Sequence, residues 1–494
     1  MLYVHGRIGP ADSLRCDGER IVEVGRELQP RPGEPVHDMA GGVILPGLWD
    51  AHLHFLLWSL KLRQVDLSGC PDPHDFLARL GRAQDGDWLQ GQGWTEAYPT
   101  LEELDRATGD RPALLWRADL HSALANSAAL RRAGVESGTP DPAGGRIERD
   151  HRGRPTGMLR ELAIGLVSRC IPDPSQAEVD QALRAACARL HALGVTAISD
   201  QRLKDHDDGV ASRAAYRRLK LPLRIHCNVA AHELDALPDE TPEARRGHVK
   251  FFSDGTLGSR TAAMLEPYEG ETSGRGIWLT PVEGLREGFA RSRRMGLPIS
   301  VHAIGDAAVR TCLDLLEELG PAPGVPDRIE HVQFLSDRDL GRLAALGVTA
   351  SMQPVHMLDD MDLSDRLVGP RSRTYYRLAS LRRWGTRLAF GSDAPVADPN
   401  PWLGMHAAVQ RRRPDRPEAW VPEERLDLPS ALAAYTAGAA EAAGRKDLGV
   451  LSPGALADFA VIDREPEPDN LLEIRVLSTV VGGVQRYPAD QGPS

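Results

Sequence analysis

The middle of the chain repeats one order of elements, and that order limits the folds open to it. The stretch SQAEVDQALRAACARLHALGVTAISD opens with Ser175 and Glu178 at the spacing of a helix-capping pair, carries Val179, Leu183, Ala186, Leu190 and Leu193 at helical intervals, and stops at Gly194. A short β-branched strand follows. The same order of helix, glycine and strand returns in LREGFARSRRMGLPISVHAIGD, in AVRTCLDLLEELG running on to RIEHVQ, in SDRDLGRLAALGVTASMQP and in YYRLASLRRWGTRLAFGSD. Apolar strands alternating with helices form parallel βαβ units. Eight strand candidates (VILPGLWDAHLHF, VTAISD, LRIHCNV, HVKFFSDG, LPISVHAIG, RIEHVQF, VTASMQP and RLAFGSDAP) predict an α/β fold, a TIM (β/α)8 barrel with its chemistry at the C-terminal ends of the strands.

Other segments read differently. Residues 61–172 lack the repeating order and are rich in Pro, Gly and polar residues, so they read as a substrate-side insertion after the first barrel strand. The strand-like ALLWRADLH is assigned to that insertion. Residues 1–43 and 447–494 contain short stretches such as RIVEVGREL and DFAVID, which predict a small composite β-domain built from both termini beside a barrel of residues 44–446. The net charge of -11 leaves no basic excess to neutralise phosphates, so nucleic acid and membrane surfaces are not expected partners and a small molecule is. Six scattered cysteines without a CxxC pair read as reduced thiols, and neither a signal peptide nor a run of about 18 apolar residues is evident. The expectation is a cytoplasmic protein. A homodimer follows only from the general frequency of such assemblies.

The strand ends carry the chemistry. In GLWDAHLH the two-residue period of a strand puts Asp50, His52 and His54 on one face. Alone, this pair reads equally well as core histidines or as metal ligands. The fifth strand adds His302, the sixth His331 and the eighth Asp393. Each buried imidazole or carboxylate needs its own compensating partner, so five such residues on one rim favour a metal site over packing.

Lys250, inside the apolar strand HVKFFSDG, is one of only five lysines against an abundance of arginine. Arginine supplies charge but no neutral amine, whereas a desolvated lysine can lose its proton and combine with carbon dioxide as an anionic carbamate. Pairing with Asp254, on the same strand face, is the competing reading.

In this order GLWDAHLH, VKFFSDGTLGSRTA, VHAIGD, EHVQ, GSDAPV with NPW, and LGVLSPGALADFAVID resemble the amidohydrolase superfamily and its YtcJ-like branch of metal-dependent hydrolases. GQGWTEA, DLHSALANSAAL and GRPTGMLRELA extend the resemblance through the insertion. What the resemblance implies is one or two divalent ions per chain, zinc by ligand type, with His52 and His54 on one metal, His302 and His331 on a second, carboxylated Lys250 between them and Asp393 completing the first site. It also implies hydrolysis of a non-peptide carbon–nitrogen bond, N-acyl or N-formyl, by a metal-activated hydroxide, with Asp393 as general acid and base.

Several neighbours are candidates for supporting roles. Asp50 and Asp306 could orient ligand rings or simply cap helices. Trp94, His121 and Asn126 could contact substrate from the insertion, and Arg260 could anchor a substrate carboxylate or form a surface ion pair. A mononuclear deaminase on the same barrel is the alternative, although His302 is followed by AIGD and not by the glutamate such enzymes use. A scaffold that has lost its chemistry is a third class.

Overall fold

The computed structural model describes residues 1–82, 86–118, 121–204, 208–235, 237, 240–241 and 245–488, so the last six residues of the expected terminal β-domain lie outside the described residues. The chain divides into two compact units, residues 1–58 with 184–494, and residues 59–183.

The larger unit holds eight parallel strands, β1 (Leu48–Leu53), β2 (Val195–Asp200), β3 (Arg224–Ala230), β4 (Arg245–Phe252), β5 (Ile299–Ala303), β6 (Arg328–His331), β7 (Thr349–Met352) and β8 (Leu388–Phe390), each hydrogen-bonded to the next in chain order. All eight candidates read from the sequence are barrel strands. Their near-continuous burial is what parallel strands covered on both faces require. The ring draws together between β8 and β1, where Leu53 bridges Ala394, the Asp393 N–H donates to the His52 carbonyl at 2.6 Å and the His54 N–H donates to the Ala394 carbonyl at 2.9 Å. Gly391 makes that approach possible, because a Cβ there would lie 2.4 Å from the His52 nitrogen and 2.7 Å from Asp50 Oδ1.

The stretch VILPGLWDAHLHF proves to be two strands. Val43–Pro46 pairs antiparallel with Phe459–Ile462, in a four-stranded sheet completed by Val476–Val481 and Val484–Tyr487. The chain turns at Gly47, where a Cβ would sit 2.1 Å from Thr196 Oγ1, and only then enters the barrel. A second four-stranded sheet comprises Leu2–Val4, Ser13–Asp17, Arg20–Gly25 and Val36–Asp38. Tyr3, Leu14, Ile21 and Ile44 share one core with Phe459, Val461 and Val480, so both ends of the chain are buried against each other.

Residues 59–183 are more regular than their composition suggests. They form a six-stranded sheet in the order Gly145–Arg149, Pro155–Glu161, Ser122–Ala125, Ala113–Arg117, Leu89–Trp94, Val65–Asp66. Ala113–Arg117 is the ALLWR stretch. Short strands between Gly and Pro turns carry too little periodicity to read from sequence, and here they bury Leu114, Ile147 and Leu159 in one cluster and Phe76, Trp94 and Leu104 in another. Among the described residues no helix is long and apolar enough to cross a membrane.

Two predictions follow from this packing. Gly391→Ala forces the β8–β1 contact apart and is expected to cost about 1–3 kcal/mol, read as a lowered Tm, and to reduce metal retention because the same contact carries His52 and Asp393. His191 is buried, with Nε2 2.9 Å from the Pro222 carbonyl oxygen, and burial lowers its imidazole from 6.5 to about 4. Below about pH 6.5 the unfolded chain therefore gains a proton that the folded chain refuses, and stability falls until about pH 4, by roughly 3 kcal/mol. Denaturant titrations of wild type and His191→Gln across that range should show a shallower loss in the variant.

Candidate metal centre

The strand ends converge. His52 Nε2 and His54 Nε2 each lie 3.3 Å from Asp393 Oδ1, and the three donor atoms fall within 4.8 Å of one another. His331 comes from β6, with its ring centroid 5.0 Å from that of His52 and 4.5 Å from that of His302 on the adjacent β5. A second trio, His331, His356 and Asp393, meets the same 4.8 Å limit. His302 falls in neither trio.

Hydrogen bonds fix which nitrogen each ring presents. The Glu330 carboxylate can only accept, so the contact at 2.7 Å places the hydrogen of His52 on Nδ1 and leaves Nε2 facing Asp393. Gln353 donates its amide N–H to the Ser351 carbonyl, which turns its Oε1 toward His331 Nδ1 at 2.8 Å and leaves the other nitrogen of His331 free. His302 donates from Nε2 to the Gly255 carbonyl at 3.0 Å. The outer bond of a ligand imidazole commonly sets its orientation in this way. Two imidazole nitrogens aimed at one carboxylate oxygen, with His54 Nδ1 buried and unpartnered, is a donor set suited to a divalent cation.

The fields at these groups differ in direction. Burial opposes a charge on Asp393, but His52, His54 and His331 outweigh it and hold the carboxyl well below its usual range. Burial, followed by His302 and His52, keeps His331 far below 6.5, and burial with Lys250 lowers His302 to about 4. For His52, burial and Lys250 oppose protonation while Asp393 and Glu330 prevail and raise it. Lys250 is lowered to about 8, chiefly by burial. Glu330 and Asp393 act against that lowering, and its Nζ sits 5.2 Å from the centre of the Phe252 ring. Asp254 is occupied elsewhere, accepting the N–H groups of Ala263, Ile304 and Gly305. No Lys250–Asp254 ion pair forms among the described residues.

Two positions of this cluster are strained. His331 and Asp393 have φ of 74° and 58°, left-handed values uncommon for residues with a side chain. Such conformations persist where the surrounding structure over-determines them, and they cluster at functional sites.

The model of the amidohydrolase family matches residues 36–487. The chain belongs to that family. This amidohydrolase is 34% identical to the putative amidohydrolase YtcJ of Bacillus subtilis, over 90% of its own length and 88% of that protein. It is 33% identical to the protein LONG AFTER FAR-RED 3 of Arabidopsis thaliana, over 97% and 88% of the two chains. An N-substituted formamide deformylase of Arthrobacter pascens is 27% identical over 98% and 96%. Among solved structures, an uncharacterised metal-dependent hydrolase from Pyrococcus furiosus superposes with a TM-score of 0.77 at 28% identity, over 94% of this chain and 99% of that one. Membership of the family makes this chain an enzyme of the amidohydrolase class.

Several expected roles go to other residues. Asp50 accepts the His52 N–H and both the N–H and the hydroxyl of Ser392, so it joins the backbones of β1 and β8 and orients no ring. Asp306 starts helix Asp306–Leu319 and accepts the Leu265 N–H. The ring-orienting groups are Glu330 and Gln353. Glu330 has no solvent exposure; Arg328 Nε lies 3.0 Å from it and the Ser300 hydroxyl donates to it at 2.6 Å. The signal for it was legible in RIEH, since two charges at alternate positions of a buried parallel strand must answer each other. Gln353, just past the strand Thr349–Met352, and His356, at the start of helix His356–Val368, were missed as well, although both are polar residues following an apolar strand.

Arg260 is half exposed, at φ 53°, and pairs with Glu271 at 2.7 Å, the surface ion pair of the competing reading. In the smaller unit, Trp94 is buried and donates its indole N–H to the Leu115 carbonyl. Asn126 caps helix Ser127–Arg132; its oxygen accepts from Ala113 and Ala129 and its amide donates to Thr108 and Arg111, which leaves nothing for a substrate. His121 is exposed and meets Glu161 at 3.0 Å. A cavity of about 820 Å³ borders Lys250 and Phe252 but not His52, His54, His302 or His331. It also touches Phe251, which packs outward on Phe289, so it runs along the outer wall of the barrel.

Glu330→Gln removes the charge that Arg328 and His52 share. Chemical denaturation should show a loss of about 3–5 kcal/mol, as expected when one partner of a buried pair is neutralised, and metal affinity measured by competition with a chelator should fall roughly 10–100-fold.

Proposed function

We propose that this amidohydrolase cleaves a non-peptide amide-type bond of a small molecule, N-acyl or N-formyl, with divalent metal, zinc by ligand type, as its cofactor. The observation that carries the proposal is the convergence of His52 and His54 on Asp393, at 3.3 Å each, at the C-terminal ends of β1 and β8. In this reading His52, His54 and Asp393 hold one ion, and His302 and His331 hold a second, with carboxylated Lys250 between them. When bound, a divalent cation supplies Lewis acidity toward a carbonyl and lowers the pKa of water to about 7. Asp393 accepts the proton of the attacking water and delivers it to the departing nitrogen. Glu330 and Gln353 keep the imidazoles turned inward through that transfer, and burial limits competing solvent.

Membership of the family and the likeness to an N-substituted formamide deformylase support this choice of bond. The position a deaminase would fill with glutamate, three residues after His302, is Gly305, where a Cβ would meet the Ala263 carbonyl oxygen at 1.9 Å. That close contact weighs against the mononuclear deaminase.

The test is metal content per chain, for protein prepared with bicarbonate and without chelator, beside Lys250→Ala. About two metals in wild type and one or fewer in the variant are expected. Equal content in both would remove the carbamate bridge. Asp393→Asn should lower turnover of N-formyl or N-acyl compounds by roughly 10²–10⁴-fold, and full turnover in that variant would exclude Asp393 as the proton carrier.

A further inference from the structure

His356 is not among the ligands that the family resemblance implies, yet it stands at the same centre. It begins helix His356–Val368, just beyond β7, and one of its ring nitrogens lies within 4.8 Å of a His331 nitrogen and of an Asp393 oxygen. Its Nε2 is 3.2 Å from the Ser392 carbonyl oxygen. A carbonyl only accepts, so Nε2 carries the hydrogen of this bond and Nδ1 is the nitrogen left to meet another group. Ser392 immediately precedes Asp393, so this bond fixes the imidazole relative to the carboxylate. The rings of His331 and His356 are stacked at 21°, with centroids 6.4 Å apart. His356 forms no hydrogen bond or ion pair with His331 or Asp393 among the described residues, and a gap of up to 4.8 Å leaves room for one ligand atom.

We propose that His356 Nδ1 accepts a hydrogen bond from the amide N–H of the substrate, and so makes the enzyme selective for amides that carry hydrogen on nitrogen. The inference rests on the hydrolase reading above and names the substrate class within it. With its N–H turned to His356, the scissile nitrogen lies between that ring and Asp393. As the carbonyl carbon becomes tetrahedral, the lone pair on nitrogen is free to face the carboxyl that holds the proton. The water oxygen bonds to the carbonyl carbon and gives a proton to Asp393; the carbon–nitrogen bond then breaks, and that proton passes to the departing nitrogen. An N,N-disubstituted amide offers Nδ1 no donor and sets a carbon against it. A site built around a hydrogen bond rejects such an analogue far more strongly than an apolar site rejects a change of size.

The test compares metal-loaded wild type, His356→Ala and His356→Asn on N-butylformamide and N-butyl-N-methylformamide, reading formate release and metals per chain. Wild type should prefer the first compound by roughly 100-fold or more in kcat/KM. In His356→Ala the preference should fall below about 10-fold with metal content unchanged, and His356→Asn, whose amide oxygen can stand near Nδ1, should recover part of it. A preference that survives in His356→Ala overturns the proposal. So does loss of metal in that variant, which would make His356 a ligand; if His356→Ala does not fold, the metal content and preference of His356→Asn decide. Should wild type hydrolyse neither compound, the hydrolase reading fails separately. Both compounds are then plain ligands, and calorimetric affinities give the same comparison: a wild-type preference lost in the variant supports the role of His356, and equal or absent binding overturns it.

Discussion

The centre depends on a carboxylate that never sees water. Glu330 lies inside the barrel, where an isolated charge would be protonated or excluded. It stays ionised because Arg328, two residues earlier on the same strand face, lies beside it, with the Ser300 hydroxyl and the His52 ring as donors. Burial by itself would raise this carboxyl; Arg328, His52 and Lys250 together hold it well below its usual range. Arg328 in turn donates to the Ala51 carbonyl at 2.6 Å and to the Ser351 hydroxyl at 2.7 Å. One network thus links β1, β5, β6 and β7 and sets the direction of a ligand imidazole. Within this network the Glu330 charge is answered by Arg328, Ser300 and His52, as a low-dielectric core demands.

Upon that network the C-terminal rim places its donors. β1 delivers two histidines, β6 delivers one past a left-handed turn, and β8 delivers an aspartate in the same strained conformation. Neither strained residue would hold its geometry in a loose loop. The close approach of β8 to β1, made possible by Gly391, and the bonds of Asp50 to both strands keep them in place. Closure of the sheet and assembly of the site are therefore one structural event.

Much of this was legible because burial is expensive for polar groups. Histidines and an aspartate ending otherwise apolar strands are costly to bury without partners, so position alone marked His52, His54, His302, His331 and Asp393 as candidates. The barrel strands were found for a related reason, since the helix, glycine and strand order recurs too regularly to belong to another architecture. Residues that act through a neighbour were harder. Asp50 and Asp306 were close in sequence to ligands, but closeness along a strand does not tell which carboxylate meets a ring across the barrel, and Glu330, 278 residues from His52, is the one that does. Asn126 and Trp94 are likewise explained by a helix cap and an indole bond that only the folded sheet reveals.

The sequence by itself determined the class of fold and the kinds of donor atom, because periodicity and the cost of burying polar groups are local properties that each stretch carries with it. Which atoms meet was decided by the tertiary structure alone. Parallel strands bring together residues hundreds of positions apart, and the register of each strand, not its composition, aims Glu330 at His52, Gln353 at His331 and His356 at Ser392. Ring orientation follows from those long-range hydrogen bonds.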